Sequence, residues 1–390
     1  MSNTSKEVLD NMMNNIATYK AYLMSNTVQM RKFVKKWRMP LISGLISIII
    51  LYIFFSKIYN RETKLTRHLI RARSSFVLES IADNKEVLDN DFRLCDFYIA
   101  SSYRSFLPGN QYFDIVSADT IRTILECGVR YIELDIFPSS FCVNSAPVVV
   151  SGREKGLWHY SNSLSLDVAF KTIKDVAFNN KTTINIREPL FLYLNINANE
   201  NYNLLKKVAD LVDQYFGPRL TSTNNKYKDI FPQTPIKNLF GKVVIISNKK
   251  WEKSPMEELI NLSPDGESFD KITMRSLNSD QVTDNFDKRE LTEYNKRNIT
   301  RVYPIYNGRS SENYNPSNCW LTGCQIVAFN YQTSDAFLDF YLDFFKNLSM
   351  RLKPEPLRFK PFVYDKPPPQ NPAVSFAPIK HSTPFYSIVY

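Results

Sequence analysis

The sequence predicts an α/β protein, a (β/α)8 TIM-type barrel preceded by a single transmembrane helix. Three observations carry this expectation. From Phe92 onward, short β-rich runs recur eight times with helical or loop segments between them, which is the alternation a parallel barrel requires. One earlier run, Met39 to Tyr59, carries no charge until Lys57. The 390 residues, 44% of them hydrophobic and 14% aromatic, hold more than the roughly 250 residues such a barrel takes. This composition excludes a disordered chain.

In chain order, residues 1–38 read as a polar, amphipathic and partly helical segment ending in the basic cluster Arg31 to Arg38. Residues 39–59 follow, long enough to cross a bilayer as a helix, which needs about 18 to 20 residues. Every face of that run is apolar, so it fits a buried core helix poorly. Its distance from the terminus argues against a cleaved signal and leaves an uncleaved signal-anchor open. Basic residues flank both ends (Arg31, Lys32, Lys35, Lys36 and Arg38; Lys57, Arg61, Lys64, Arg67, Arg71 and Arg73), which leaves the orientation undecided and suits anionic headgroups. Residues 60–90 read as a charged helical neck.

The expected strands are Phe97–Ser102, Val129–Phe137, Val148–Ser151, Phe191–Asn197, Lys242–Ser247, Lys271–Ser276, Ile299–Tyr303 and Cys324–Tyr331. Between them, helical periodicity falls on Ser117–Cys127, Leu166–Asn179, Tyr202–Phe216, Gln281–Arg297 and Ala336–Leu348. Residues 359–390 are Pro-rich and lack a helical period, as an extended tail would. A net charge of +10 and a pI near 9.1 favour an acidic partner. Without any nucleic-acid-binding motif, that partner is expected to be a membrane surface rather than nucleic acid. The five cysteines form no CxxC pair or regular framework and read as reduced, buried thiols.

Two pairs of residues draw attention on spacing alone. Arg301 and Tyr303 are two apart on a strand and so share a face, where a guanidinium fork beside a phenol suits a phosphate. An ordinary buried Arg with a carboxylate partner is the competing reading. Glu133 and Asp135 likewise share one face at a strand end, where they would bind a hard cation or stand as solvated carboxylates.

The wording RVYP, then NYNP, then a Trp, then GCQIVAFNYQT, between Arg301 and Thr333, resembles the Y half of the eukaryotic phosphoinositide-specific phospholipase C core. SSYRSFLPGNQ from Ser101, GVRYIELDIF from Gly128 and PVVVSG from Pro147 resemble its X half, in the same order. The resemblance implies an X-like half over residues 91–248, a linker over 249–269 and a Y-like half over 270–358. It also implies site roles. Glu133 and Asp135 match calcium ligands, while Arg104 and Asn195 stand where two further ligands are expected. Ser276, Arg301 and Tyr303 match headgroup contacts, with Lys249 a substitute for the lysines of the fifth strand.

The two catalytic His of that family fall on Tyr103 and Ser151. A phenol titrates at about pH 10 against about 6.5 for an imidazole, and a Ser hydroxyl is no proton shuttle. The whole chain has three His, at 68, 159 and 381, and only His159 lies within the barrel. The expected function is therefore that of a membrane-anchored pseudoenzyme that binds phosphoinositide or another anionic headgroup, or acts as a scaffold. Protein partners would be met through the N-terminal segment and the Pro-rich tail. No cofactor is expected, calcium being the exception if the remnant pair still binds it, and Arg104 is expected to pair with Glu133 or Asp135 in its place. Two alternatives remain: an active phosphodiesterase with altered residues, and a structural membrane protein of a large DNA virus particle, to which the Asn, Ile and Lys bias of AT-rich genomes points.

Overall fold

The computed structural model describes the chain apart from residues 1–2, 75–78, 111–114, 141, 143, 151, 154–156, 159–161, 182, 184, 199–200, 222–227, 265–272, 286, 306–310, 347 and 362–377. Its first element, α1 (Asn3–Ser74), is one helix of 72 residues with Pro40 inside it. At about 1.5 Å per residue it is about 108 Å long. No break separates polar lead, apolar run and neck where the sequence reading drew boundaries. Residues 3–74 contain a single Gly and a single Pro, too few helix-breaking residues to stop it. The stretch Asn11–Ser56 contains a window long and apolar enough to cross a membrane, none of it buried against the rest of the chain. Near its far end Leu65 and Leu69 are buried in the core, which docks the helix on the globular part.

Seven strands run parallel: β1 (Phe97–Ser102), β2 (Tyr131–Pro138), β4 (Leu190–Ile196), β5 (Val243–Ser247), β6 (Met274–Asn278), β7 (Ile299–Tyr303) and β8 (Ile326–Phe329). Pairing runs β5-β4-β2-β1-β8-β7-β6. Among the described residues no strand pair closes β5 to β6. At that seam Leu262 bridges Ile246, and Asn261 both donates to and accepts from the Ile245 backbone.

The expected third parallel strand is instead β3 (Pro147–Val149), antiparallel to the end of β2. The physical reason is length: residues 139–146 are too few for a crossover, which takes about a dozen residues, and suffice for a hairpin. Helices α2 (Ala118–Glu126), α3 (Leu166–Ala177) and α4 (Tyr202–Phe216) follow their expected places. Gln281–Arg297 divides into α5 (Ser279–Thr283) and α6 (Lys288–Asn295), capped separately by Asn278 and Asp287. The last helix, α7, covers Ala336–Phe344. In the tail, Lys380–Ser382 and Ser387–Val389 pair as an antiparallel hairpin that the sequence reading did not anticipate. All five cysteines are free; Cys95, Cys319 and Cys324 are buried, but Cys142 is exposed, in the polar turn between β2 and β3.

Strand alternation sorts the core into two layers. Side chains of one parity, among them Phe97, Ile99, Tyr131, Phe191, Val244 and Ile326, form a single cluster drawn from all the parallel strands, which requires the sheet to be curled around it. Those of the other parity, such as Ile132, Leu192, Ile245 and Val327, pack outward with the helices. The lower end is sealed by a buried polar cluster. Arg130 donates to the carbonyls of Ala177 and Asn185, and Glu188 accepts from the Ile81 amide at 2.8 Å and from Asn185 at 3.3 Å.

Candidate functional site

The inward parity continues above the apolar floor as Glu133 and Asp135 on β2, Asn195 just beyond Tyr193 on β4, Ser276 on β6, and Arg301 and Tyr303 on β7. With Tyr103 and Arg104, which follow β1, these residues line a cavity of about 210 Å³ at the C-terminal ends of the strands. Parallel barrels gather their sites at that end. The cavity is smaller than the roughly 300–1,000 Å³ of most small-molecule pockets.

Its charges are spent on one another. Arg301, 5% exposed, donates from Nη2 to Glu133 Oε2 at 2.6 Å and from Nε to the same oxygen at 3.2 Å. Its Nη1 donates to Ser276 Oγ at 2.7 Å. The guanidinium also lies 4.4 Å from the Tyr193 ring centre and 4.6 Å from that of Tyr303, within cation–π range of both. Arg301 is thus a buried Arg with a carboxylate partner, Glu133. Asp135 takes the second cation, with Arg104 Nε 3.0 Å from its Oδ2. Asn195 Nδ2 donates to Asp135 Oδ1 at 2.9 Å. The expected ion pair of Arg104 is thus formed with Asp135, while Glu133 goes to Arg301.

The local backbone makes this possible. Arg104 sits at φ 42°, in the left-handed region, where the chain turns sharply off β1. Ser105 then bonds Glu133 twice, its amide donating to the Glu133 carbonyl and its hydroxyl accepting from the Glu133 amide, each at 3.0 Å. Tyr103 stacks on Tyr303, ring centres 6.3 Å apart and planes 13° apart. Burial pushes the Tyr103 hydroxyl up to about 12, against the pull of Arg104, and burial likewise holds Tyr193 at about 12. Both phenols stay protonated at neutral pH. Burial raises the Glu133 carboxyl too, with Arg301 opposing it.

One expected site residue, Lys249, is not brought in. Lys249 lines a separate surface cavity of about 440 Å³ with Lys250 and Trp251, its Nζ 5.5 Å from the Trp251 ring centre. The reason lies one residue earlier. The Asn248 side chain folds back to accept from the Ile196 amide at 3.0 Å and donate to its carbonyl at 3.2 Å, turning the chain away from the mouth. Ser151 lies outside the described residues, as does His159. Tyr193 was missed by the sequence reading, although its inward parity with Asn195, two residues on, could have found it.

A calcium ion takes about six to eight oxygen ligands. Here both carboxylates already hold guanidinium groups and Asn195 presents its NH₂. Among the described residues no group of three His, Cys, Asp or Glu side chains is placed to hold a metal. The donor set does not fit the ion.

The sequence matches the phosphatidylinositol-specific phospholipase C X domain over residues 91–250 and the Y domain over residues 257–356. The chain belongs to this family. Phosphoinositide phospholipase C 1 of Arabidopsis thaliana is 24% identical over 301 residues, which cover 63% of this chain and 49% of that protein. Human inactive phospholipase C-like protein 1 is 20% identical over 300 residues, covering 65% of this chain and 26% of that one. The chain thus spans half or less of the length of these relatives. Among solved structures, S. officinalis PLC21 superposes with a TM-score of 0.58 at 23% identity, covering 69% of this chain and 38% of the other. The X and Y matches meet beside β5, where the Leu262 and Asn261 contacts fill the open seam.

Proposed function

We propose that this protein is a membrane-anchored, phospholipase C-like pseudoenzyme whose barrel serves recognition or scaffolding rather than phosphodiester hydrolysis. The observation that carries this reading is the double ion pair at the mouth, Arg301 with Glu133 and Arg104 with Asp135. Phosphodiester cleavage needs a base, an acid and stabilisation of phosphoryl charge. Tyr103 stands where an imidazole would start the reaction, and the guanidinium of Arg104 takes the carboxylate that would otherwise face calcium. The pocket therefore holds no calcium, and its own cations are neutralised from within. The apolar window of α1 supports a single membrane crossing, and the net charge of +10 supports an anionic lipid surface as the partner.

The convergence of Ser276, Arg301 and Tyr303 favours a second reading, recognition of a phosphoinositide headgroup without hydrolysis. It requires a phosphate to displace Glu133 from Arg301, and Lys249 would contribute only from outside the mouth. The test is turnover of phosphatidylinositol 4,5-bisphosphate in vesicles by the full chain with calcium present. No product above the protein-free blank is expected. Turnover that disappears in Glu133→Gln would overturn the pseudoenzyme reading.

A further inference from the structure

We infer that residues 12–37 of α1 form the seam of a parallel coiled coil with a second copy of this chain. Met12, Ile16, Tyr19 and Leu23 are spaced alternately four and three apart, and Met30, Phe33 and Trp37 continue the same phase. Asn26 occupies the one remaining position of the series and is its only polar member. Alternating steps of three and four are the heptad a and d positions of a coiled coil. These side chains have no partner within one copy, from 46% exposed at Trp37 to 69% at Tyr19 and Met30, as is true of every face of this stretch; the heptad spacing, not the exposure, marks the seam.

The charges respect the seam. Lys20, Arg31, Lys32, Lys35, Lys36 and Arg38 are the charged residues from Asn11 to Arg38, and none falls on it. A basic helix with apolar residues along it can also lie flat on a bilayer. Continuity argues against that here, because α1 passes through Pro40 into the apolar run without a break. Residues 12–37 therefore project from the membrane in line with the crossing segment, and their stripe faces water unless another helix covers it.

The same heptad phase, carried on past Trp37, falls on Pro40, then on Gly44 and Ser47, and then on Leu51 and Phe54. Small residues let crossing helices approach closely. A Cβ added at Gly44 would meet nothing within 4 Å in the single chain, so no contact within one copy requires a Gly there, although Gly weakens a helix. Two copies crossing one membrane in the same sense are parallel and in register. Asn26, at a d position, then faces its counterpart across the seam. The parallel arrangement, the choice against a helix lying on lipid and the extension to Gly44 and Ser47 rest on the proposed membrane crossing; the heptad spacing over residues 12–37 does not.

The test is disulfide trapping in the full chain, in detergent micelles and in vesicles, on a Cys127→Ser/Cys142→Ser background. Single cysteines are placed on the seam (Ile16→Cys, Leu23→Cys, Met30→Cys) and on the opposite face (Ala21→Cys, Val28→Cys, Lys35→Cys). Seam positions are expected to form covalent dimer at least about tenfold faster, since pairing raises the local thiol concentration. Equal rates on both faces, or no dimer at any seam position, would overturn the inference. So would seam cysteines that resist a water-soluble maleimide in vesicles yet fail to crosslink, the outcome for a helix lying on lipid. Leu23→Glu is expected to convert dimer to monomer by mass photometry without moving the barrel's unfolding midpoint; a persisting dimer contradicts the seam. Loss of the dimer leaves the non-hydrolytic reading untouched, because lipid turnover tests that separately.

Discussion

The two ends of the barrel both bury an arginine near a glutamate, and they use the pair differently. At the lower end Arg130 is spent on backbone carbonyls of the loops that close the sheet, and Glu188 accepts from the Ile81 amide and Asn185. Burial holds the Arg130 guanidinium down to about 10, with Glu188 opposing. At the mouth, Arg301 and Arg104 hold the carboxylates directly, at 2.6 and 3.0 Å, beside a cavity. Polar clusters at the lower end of such barrels serve stability, while those at the mouth serve chemistry. Here the mouth has adopted the logic of the closed end. Its two guanidinium groups and two carboxylates satisfy one another.

Substitutions rank the two ends. Arg130→Met strips two buried carbonyls of their donor, at roughly 1–3 kcal/mol each, and removes the charge that opposes the burial of Glu188, so a loss of about 3–5 kcal/mol is expected in denaturant unfolding of the full chain in detergent. A loss below about 1 kcal/mol would show that the lower end is no more structural than the mouth. Arg301→Met should cost about 3 kcal/mol at pH 8 and less at pH 5. The sign follows from Glu133, whose folded pKa is raised by burial above its unfolded value. Its contribution is therefore complete below the unfolded pKa and is lost as pH rises through the folded one. Removing Arg301 raises the folded pKa further, so the deficit widens with pH; a deficit that shrank with rising pH would contradict the pairing. Arg104→Asn should cost only about 1 kcal/mol, because Asn tolerates the positive φ, Asn195 still donates to Asp135, and the mouth admits water. A cost matching that of Arg301→Met would place Arg104 with the sealed interior.

Much of this was legible in the sequence wherever alternation governs the outcome. β1 and β7 fall on their expected bounds because each begins and ends at a change of pattern. The inward parity of Glu133, Asp135, Arg301 and Tyr303 needed only the strand period. That Arg104 would pair with one of the two carboxylates was legible, because by resemblance it stands where a residue of the same cluster is expected; that the partner is Asp135 and not Glu133 was not. What escaped was set by distance in the chain or by loop length. Arg301 and Glu133 are 168 positions apart, and no local pattern couples them. The reversal of β3 depended on counting the residues before it, and the outward turn of Lys249 depended on Asn248 capping the end of β4. The unbroken course of α1 was hidden by its composition, which changes twice while its helicity does not.

The smallest expected signal is also the most direct test of a mouth neutralised from within. Calcium titrated by calorimetry into the full chain should give no stoichiometric heat, whereas Arg104→Asn/Asn195→Glu, which removes the cation and adds a carboxylate, should bind one ion. Binding of one calcium per chain by the unaltered protein, lost in Glu133→Gln, would contradict the internal ion pairs.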